Sequence, residues 1–255
     1  MEKKKTKYIH TEDVHNFKAA EEIIPFILSL LHPKSVVDVG CGIGTWLKVF
    51  KDNGVTEILG IDSWYVDKND LKIDSADFIE YDLEESFKTE KKFDLAISLE
   101  VAEHLNVESA DVFVKTLSEL SDVLIFSAAI PNQGGQNHIN EKEPEYWINK
   151  FKQNGFNVYD VLRPIFWKNP NVDSWYKQNI LVFSKNQEQN YKLQKLDSFL
   201  NTHLVHPEIL KAKENVLKCY KEELNYIFEF KHGIRFYFTL FSKALVHKIK
   251  DKIHL

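Results

Sequence analysis

The sequence has 255 residues, of which 44% are hydrophobic and 28% are charged, a composition typical of a globular domain rather than of a disordered chain. Its two cysteines, Cys41 and Cys219, lie too far apart to define a disulfide framework or the close spacing of a zinc site. No apolar run approaches the ~20 residues that a membrane span needs, and the first residues lack the apolar stretch of a signal peptide, so we expect a cytoplasmic protein.

The net charge of -5 is unevenly distributed along the chain. Residues 231–255 hold six basic residues and one acidic residue, a net charge of +5, so residues 1–230 carry -10. An acidic body of this kind repels a phosphate backbone, and we therefore expect no nucleic-acid partner. The charged residues of the basic segment are Lys231, Arg235, Lys243, Lys248, Lys250, Asp251 and Lys252.

Short apolar, β-branched runs alternate with helical patterns over most of the chain. Apolar residues at helical spacing predict a first helix over residues 11–31, which Pro33 ends. Further helices are predicted at residues 45–53, 108–120 and 143–153. The predicted strands are SVVDVG (35–40), EILGID (57–62), DFIEY (77–81), FDLAIS (93–98), DVLIFSA (122–128), FNVYDVL (156–162) and NILVFS (179–184).

This alternation indicates an α/β fold with a doubly wound, mostly parallel sheet of seven strands and helices on both faces. No helical pattern separates the last two strands, which favours an antiparallel hairpin at the sheet edge. After Ser184 only helical patterns remain. We therefore divide the chain into an N-terminal helical segment (1–32), a sheet domain (33–184) and a helical C-terminal appendage (185–255).

The segment VVDVGCGIGTW (36–46) places three glycines directly after the first strand of the sheet. Glycines there let the backbone approach a ligand at a helix N-terminus, unless they only make a tight turn. Asp62 ends the second strand, 20 residues after Gly42, and a carboxylate at that position can accept both ribose hydroxyls of an adenosine. A nicotinamide dinucleotide site needs G-x-G-x-x-G, and here the third glycine comes one position early. Asp38 adds an acid near the turn, which suits a ligand with an ammonium and a sulfonium better than a diphosphate.

These motifs resemble those of class I S-adenosylmethionine (SAM)-dependent methyltransferases. VVDVGCGIGTW is similar to their first motif, GID to their second-strand acid and EYDLEE to the loop that contacts the adenine amino group. The resemblance covers roughly residues 33–184 and implies a Rossmann-like methyltransferase fold with SAM as the cofactor. A dehydrogenase is the weaker alternative among enzymes.

The resemblance also implies a set of cofactor-binding residues. By position, Asp38 and residues 40–44 would line the methionine end of SAM, and Asp62 would contact its ribose. Asp82 and Leu83 would face the adenine, and Trp64 would pack on the adenine face. The complete set is Asp38, Gly40, Cys41, Gly42, Gly44, Asp62, Trp64, Asp82, Leu83 and Ser98.

The segment EVAEH (100–104) follows the fourth strand, so it faces the same crevice as the glycine turn. If Glu100 opens a helical turn, Glu103 and His104 lie on the same side of it. Spacing alone leaves open whether the segment shapes the cofactor pocket or supplies chemical groups. A second polar segment, SAAIPNQGGQNHINEKEPEYW (127–147), follows the fifth strand and brings His138 towards this crevice.

The E-x-x-E-H arrangement resembles that of metal-dependent O-methyltransferases, including ubiquinone-biosynthesis enzymes, and small-RNA 3′-terminal 2′-O-methyltransferases add a later histidine. The resemblance implies that Glu100, Glu103, His104 and His138 hold Mg²⁺ or Mn²⁺. A divalent cation lowers the pKa of an acceptor hydroxyl and orients it. Without metal, His138 or His104 would act as the general base, so both are catalytic candidates.

The GGQNHINEKEPEYW segment resembles methyltransferases of bacterial capsule and surface-polysaccharide pathways. This implies an acceptor such as a sugar hydroxyl, a nucleotide-linked sugar or a phosphate-type group of a glycan precursor. Two alternatives remain open: a metal-free small-molecule methyltransferase with His138 as the base, and a catalytically degenerate partner protein of glycan assembly.

The C-terminal segment HGIRFYFTLFSKALVHKIKDKIHL (232–255) mixes lysines with aromatic and aliphatic residues. A helix of this composition can lie on an anionic membrane surface, which would place the protein at the inner face of the membrane. It can equally pack on the sheet domain or on a dimer mate, with its lysines solvated.

Overall fold

A computed structural model describes Tyr8, residues 16–197, Thr202 and residues 204–253. Its strands are β1 (Ser35–Val39), β2 (Glu57–Asp62), β3 (Phe78–Glu80), β4 (Leu95–Leu99), β5 (Val123–Ser127), β6 (Asn157–Tyr159) and β7 (Leu181–Ser184). The α-helices are α1 (Lys18–Leu31), α2 (Thr45–Asp52), α3 (Ala110–Leu120), α4 (Pro144–Gln153), α5 (Arg163–Phe166), α6 (Ser174–Asn179), α7 (Gln187–Leu196), α8 (Pro207–Phe228) and α9 (Ile234–Ile253).

The seven strands form one sheet in the order β3-β2-β1-β4-β5-β7-β6. The first five strands in this order pair in parallel, whereas β7 runs antiparallel to both β5 and β6. The strand order reverses between β1 and β4. In open α/β sheets a ligand crevice lies at this reversal, outside the carboxyl ends of the strands.

The core has two layers, one on each face of the sheet. Val36 packs with α1 and α2, whereas Val37 and Val39 pack with α3 and α4. This alternation follows from the two-residue repeat of a strand. Because both faces are covered, β1 is buried along its whole length, which explains why its apolar residues do not alternate with exposed polar ones.

The predicted seven-stranded, mostly parallel sheet is confirmed. The last two strands pair antiparallel as predicted, but the prediction that no helix separates them is wrong, because α5 and α6 lie between β6 and β7. These helices have 4 and 6 residues, too few to produce a helical repeat in the sequence. The first helix begins at Lys18, and residues 11–15 of its predicted range lie outside the described residues.

The chain divides into two compact units, residues 1–206 and 207–255. Helix α7 lies in the predicted C-terminal appendage (185–255) and in the first of these units. It contacts β6 and β7 and buries Leu193 completely. The side chain of Asn186 caps the start of α7 by accepting hydrogen bonds from the amides of Glu188 and Gln189. Among the described residues, no helix combines the length and the apolar character needed to cross a bilayer.

Candidate active site

The turn between β1 and α2 brings the backbone close to the segment after β4. Gly40, Gly42 and Gly44 have φ values of 87°, 53° and 83°, which L side chains rarely adopt. A Cβ atom at Gly40 would lie 2.3 Å from Cγ2 of Val101, so no side chain fits there. The sequence therefore needs glycine at this position both for backbone conformation and for space.

Asp62 closes the turn from the end of β2. Its carboxylate accepts hydrogen bonds of 2.6 Å from the amides of Gly42 and Ser63, and one from the Tyr65 hydroxyl. Burial raises the pKa of Asp62 to about 6, although these three donors lower it. The carboxylate thus faces the cavity at a fixed angle, as a ribose-binding acid must.

Asp38 is the second acid of this cavity. It is only 3% exposed, and none of the described residues donates a hydrogen bond to it. Burial raises the pKa of Asp38 well above its usual value, and the nearby Asp62 raises it further. A buried carboxylate without a partner is costly, and a cationic ligand is the group that offsets this cost.

Aromatic rings that the sequence motifs did not predict for this role form much of the remaining cavity wall. The rings of Trp46 and Tyr176 meet edge to face with centroids 5.3 Å apart. Trp175, Tyr65 and Tyr8 line the same cavity. Trp46 follows the glycine motif directly, which is a signal that could have identified it. Tyr8, Trp175 and Tyr176 come from distant segments, and no local pattern marks them.

A second chamber of about 610 Å³ adjoins the first through Tyr8, Tyr65, His104 and Leu105, which line both. This volume is within the range of small-molecule sites. Of the predicted cofactor-binding residues, five line the first cavity (Asp38, Gly40, Cys41, Gly42, Asp62) and two line the second (Trp64, Asp82). Gly44, Leu83 and Ser98 line neither, since Gly44 packs against Ile73 and the other two are buried in the core.

Beside these cavities, Glu103, His104 and His138 offer three ligand atoms that lie within 4.8 Å of one another. Glu103 is fully buried, and neither of its carboxylate oxygens has a hydrogen-bond partner among the described residues. Nδ1 of His104 is buried without a partner as well. Burial raises the pKa of Glu103 well above its usual value and lowers the pKa of His104 to about 4.

Hydrogen bonds hold the 131–141 loop against this cluster. The amides of Ile139 and Asn140 both donate to the carbonyl of Glu103, at 2.9 and 3.0 Å. His138 Nδ1 lies 2.9 Å from the Glu141 carboxylate, which also accepts from the amides of Asn132 and Gly134. Nδ1 of His138 is thus engaged, and a histidine held through one nitrogen by a carboxylate has the usual arrangement of a metal ligand.

Glu100 lies beside this cluster, and its carboxylate raises the pKa of Glu103 further. The expected helical turn beginning at Glu100 is wrong: Glu100 has a φ of 55°, and a short 3₁₀ helix spans Ala102–His104 instead. Its carboxylate accepts hydrogen bonds from the side-chain amides of Asn179 (3.0 Å) and Gln133 (2.9 Å). The donors of Glu100 come from α6 and the 131–141 loop, so this residue ties those segments together. A non-glycine residue at positive φ beside a cavity is typical of a functional site.

Residues 12–161, more than half of the chain, match a family described as a methyltransferase domain. The chain belongs to this family. A comparison with curated proteins gives no match.

Solved structures share the fold at low sequence identity. Human N-acetylserotonin methyltransferase in complex with SAM is 14% identical, with a TM-score of 0.50 over 69% of this chain and 54% of that one. Streptomyces venezuelae DesVI is 13% identical, with a TM-score of 0.50 over 70% of this chain and 100% of that one. The methyltransferase domain of bacterial CtHen1 is 22% identical, with a TM-score of 0.48 over 66% of this chain and 98% of that one. The chain is therefore a methyltransferase by family, and it shares the fold of these structures. The acid-lined glycine cavity fits a cofactor with two positive centres, as the resemblance to SAM-dependent enzymes implies.

Proposed function

We propose that the chain is an O-methyltransferase that depends on a divalent cation and methylates a sugar hydroxyl of a surface-glycan precursor. The observation that carries this proposal is the buried Glu103 carboxylate, whose oxygens both lack a partner, beside the imidazoles of His104 and His138. A buried anion of this kind needs a compensating cation, and mixed carboxylate and imidazole ligands suit Mg²⁺ or Mn²⁺.

The residues that would hold the cation are Glu103, His104 and His138. When bound, such a cation supplies positive charge that lowers the pKa of an acceptor hydroxyl. The protein's own contribution is to orient these ligands: Glu141 engages Nδ1 of His138, and the two loop amides on the Glu103 carbonyl set the spacing between the segments. Three protein ligands leave positions for substrate oxygens.

The acceptor is proposed from the polar loop and from the charges around the cavities. Residues 134–147 resemble the corresponding segment of capsule-pathway methyltransferases, which supports a glycan precursor. None of the described residues that line the two cavities is Lys or Arg, whereas Asp82, Glu84 and Glu108 line the larger chamber. This balance favours a neutral hydroxyl over a phosphate-type acceptor.

A metal-free methyltransferase is a second candidate, which the pairing of His138 with Glu141 favours. Methyl transfer forms a carbon–oxygen bond, breaks a sulfur–carbon bond and releases the hydroxyl proton, so the site needs a proton acceptor. His138 held by Glu141 could take this proton through Nε2, because a carboxylate on Nδ1 stabilises the imidazolium that forms.

Calorimetric titration separates the two candidates. S-adenosylhomocysteine and Mn²⁺ are each titrated into chelator-treated wild-type protein, into Glu103→Gln and into the matched control Glu108→Gln, which alters an exposed carboxylate of the larger chamber. The proposal expects Mn²⁺ binding that Glu103→Gln abolishes and Glu108→Gln retains. Cofactor binding without Mn²⁺ uptake in the wild type would favour the metal-free enzyme.

A further inference from the structure

Helix α8 carries an uncovered apolar stripe along its length. Leu210, Leu217 and Leu224 recur every seven residues and are 54%, 53% and 51% exposed. Tyr220 and Ile227 occupy the intermediate positions of the same stripe, which therefore has the spacing of a coiled-coil seam. None of the 22 residues of α8 is buried.

The other helix of this unit does not cover the stripe. The described hydrogen bonds and ring contacts that link α8 with α9 and its preceding turn begin at Glu223, which bonds to His232. Tyr237 donates to the carbonyl of Ile227, and the Tyr226 and His232 rings meet edge to face. The contacts thus lie at the C-terminal end of α8, and Leu210 and Leu217 remain outside them. A helix of this length gains most of its stability by burying its apolar face.

The charges on α8 indicate what covers the stripe. Glu214 and Lys221 are seven residues apart, and both flank the stripe on the same edge of the helix. In an antiparallel pair of α8 helices with Leu217 opposite Tyr220 of the other copy, Glu214 of each copy lies beside Lys221 of the other. A parallel pair would place Val216 against Lys221 and Glu223 against Phe228, which are not complementary.

We propose that α8 pairs with α8 of a second copy of this chain, antiparallel about a two-fold axis near residues 217–220. The same patch then serves both copies, as in other two-fold interfaces, and forms two symmetry-related ion pairs between Glu214 and Lys221. Lys213 also occupies a stripe position, where its alkyl stem extends the apolar surface while its ammonium reaches water. Because α8 holds four lysines and four glutamates, an anionic membrane exerts little net attraction on it.

The first test is the mass of the full chain in solution by sedimentation velocity at micromolar concentration. The wild type is expected to be a dimer, and Leu217→Glu a monomer. The control Asn215→Glu adds the same charge on the opposite face of α8 and should remain a dimer. Circular dichroism confirms that each variant keeps its helix content. A wild-type monomer, or a dimer that Leu217→Glu leaves intact, would overturn the proposal.

Charge reversal tests the antiparallel register without burying a new charge. Glu214→Lys or Lys221→Glu alone should weaken the dimer roughly tenfold, because each replaces two attractions with two repulsions. The double variant should restore wild-type affinity. Single variants that weaken the dimer without rescue by the double variant would overturn this register. A wild-type monomer that floats with phosphatidylglycerol vesicles would instead assign the stripe to a lipid surface.

Discussion

The imidazole of His138 and the carboxylate of Glu141 lie one hydrogen bond apart, with 2.9 Å between Nδ1 and Oε1. Two backbone amides also donate to this carboxylate, so the orientation of Glu141 does not depend on its contact with the ring. The orientation of His138 is therefore set by the loop that carries it. His104 packs edge to face on the same ring at 4.8 Å.

Replacing Glu141 with Gln should lower Mn²⁺ affinity by about 10–100-fold, the usual effect of removing the carboxylate behind a ligating histidine. Affinity for S-adenosylhomocysteine should stay unchanged, because Glu141 does not line the glycine cavity. Calorimetry of both ligands checks this prediction. Glu143→Gln is the matched control, since Glu143 is exposed and its side chain makes no capping bond to α4. Equal losses of Mn²⁺ affinity in both variants would contradict the role of Glu141.

Gly40→Ala should abolish cofactor binding and destabilise the fold. The new Cβ atom would lie 2.3 Å from Val101, at a φ of 87°. Gly54→Ala is the matched control, because Gly54 has a φ of 94° and nothing lies within 4 Å of its Cβ position. The control should cost about 1–2 kcal/mol in free energy of unfolding, the cost of left-handed backbone alone. Urea denaturation measures both variants, and an equal cost would mean that the contact with Val101 relaxes freely.

Cofactor affinity should depend on pH through Asp62. Its carboxylate, with a pKa of about 6, accepts ribose hydroxyls best when ionised, so affinity should rise from pH 5 to pH 7. Stability of the free protein should change in the opposite direction. A carboxyl group whose pKa is raised by folding contributes stability below its unfolded pKa, and this contribution is lost as the pH rises through about 6.

The Asp62 prediction is checked by titrating S-adenosylhomocysteine at several pH values into the wild type and Asp62→Asn. Asparagine would turn an N–H group towards the amide of Gly42 or Ser63, so affinity should fall and the pH dependence near pH 6 should disappear. Asp38, Cys41, Tyr8 and Tyr65 are further titratable groups near Asp62. A pH dependence that survives in Asp62→Asn would show that another group of this cavity, such as Asp38, Glu100 or His104, causes it.

Asn179→Asp should lower the free energy of unfolding by about 2–4 kcal/mol, because it places a second carboxylate 3.0 Å from that of Glu100 in a buried network. Asn171→Asp makes the same change beside the Glu22 carboxylate on the surface and should cost less than about 1 kcal/mol. Urea denaturation at pH 7.5 compares the two. Similar costs would show that the Glu100 network is solvated.

The sequence predicted the sheet because buried parallel strands such as β1 and β4 appear as short apolar runs. It missed α5 and α6, which are shorter than two helical turns and owe their position to tertiary packing. Buried Arg163, at the start of α5, bonds to Asp160 and to the carbonyl of Gln178. The bond to Gln178 spans 15 residues of the chain, and no periodicity in the sequence indicates it.

Part of the candidate site could be predicted from the topology of the sheet. Glu103, His104 and His138 follow neighbouring strands, and the ends of parallel strands meet at one edge of the sheet, so their convergence follows from topology. Glu100 follows the same strand as Glu103 and lies close enough to raise the pKa of its carboxyl group. Its positive φ and its donors Asn179 and Gln133 could not be predicted, because the backbone conformation of a single residue leaves no signal in the sequence.

The amides of Ile139 and Asn140, which donate to the Glu103 carbonyl, fix the end of the 131–141 loop but not its tip. Ile139 and Asn140 anchor the loop by their backbone amides, and the Asn140 side chain also donates to the carbonyl of Ala102. The side chains of Gln136 and Asn137 are exposed at the tip of the loop. Substitutions at those two positions leave the anchor and the His138–Glu141 pair in place. A single substitution at Asn137 therefore changes the wall of the larger chamber without disturbing the cluster around Glu103 beside it.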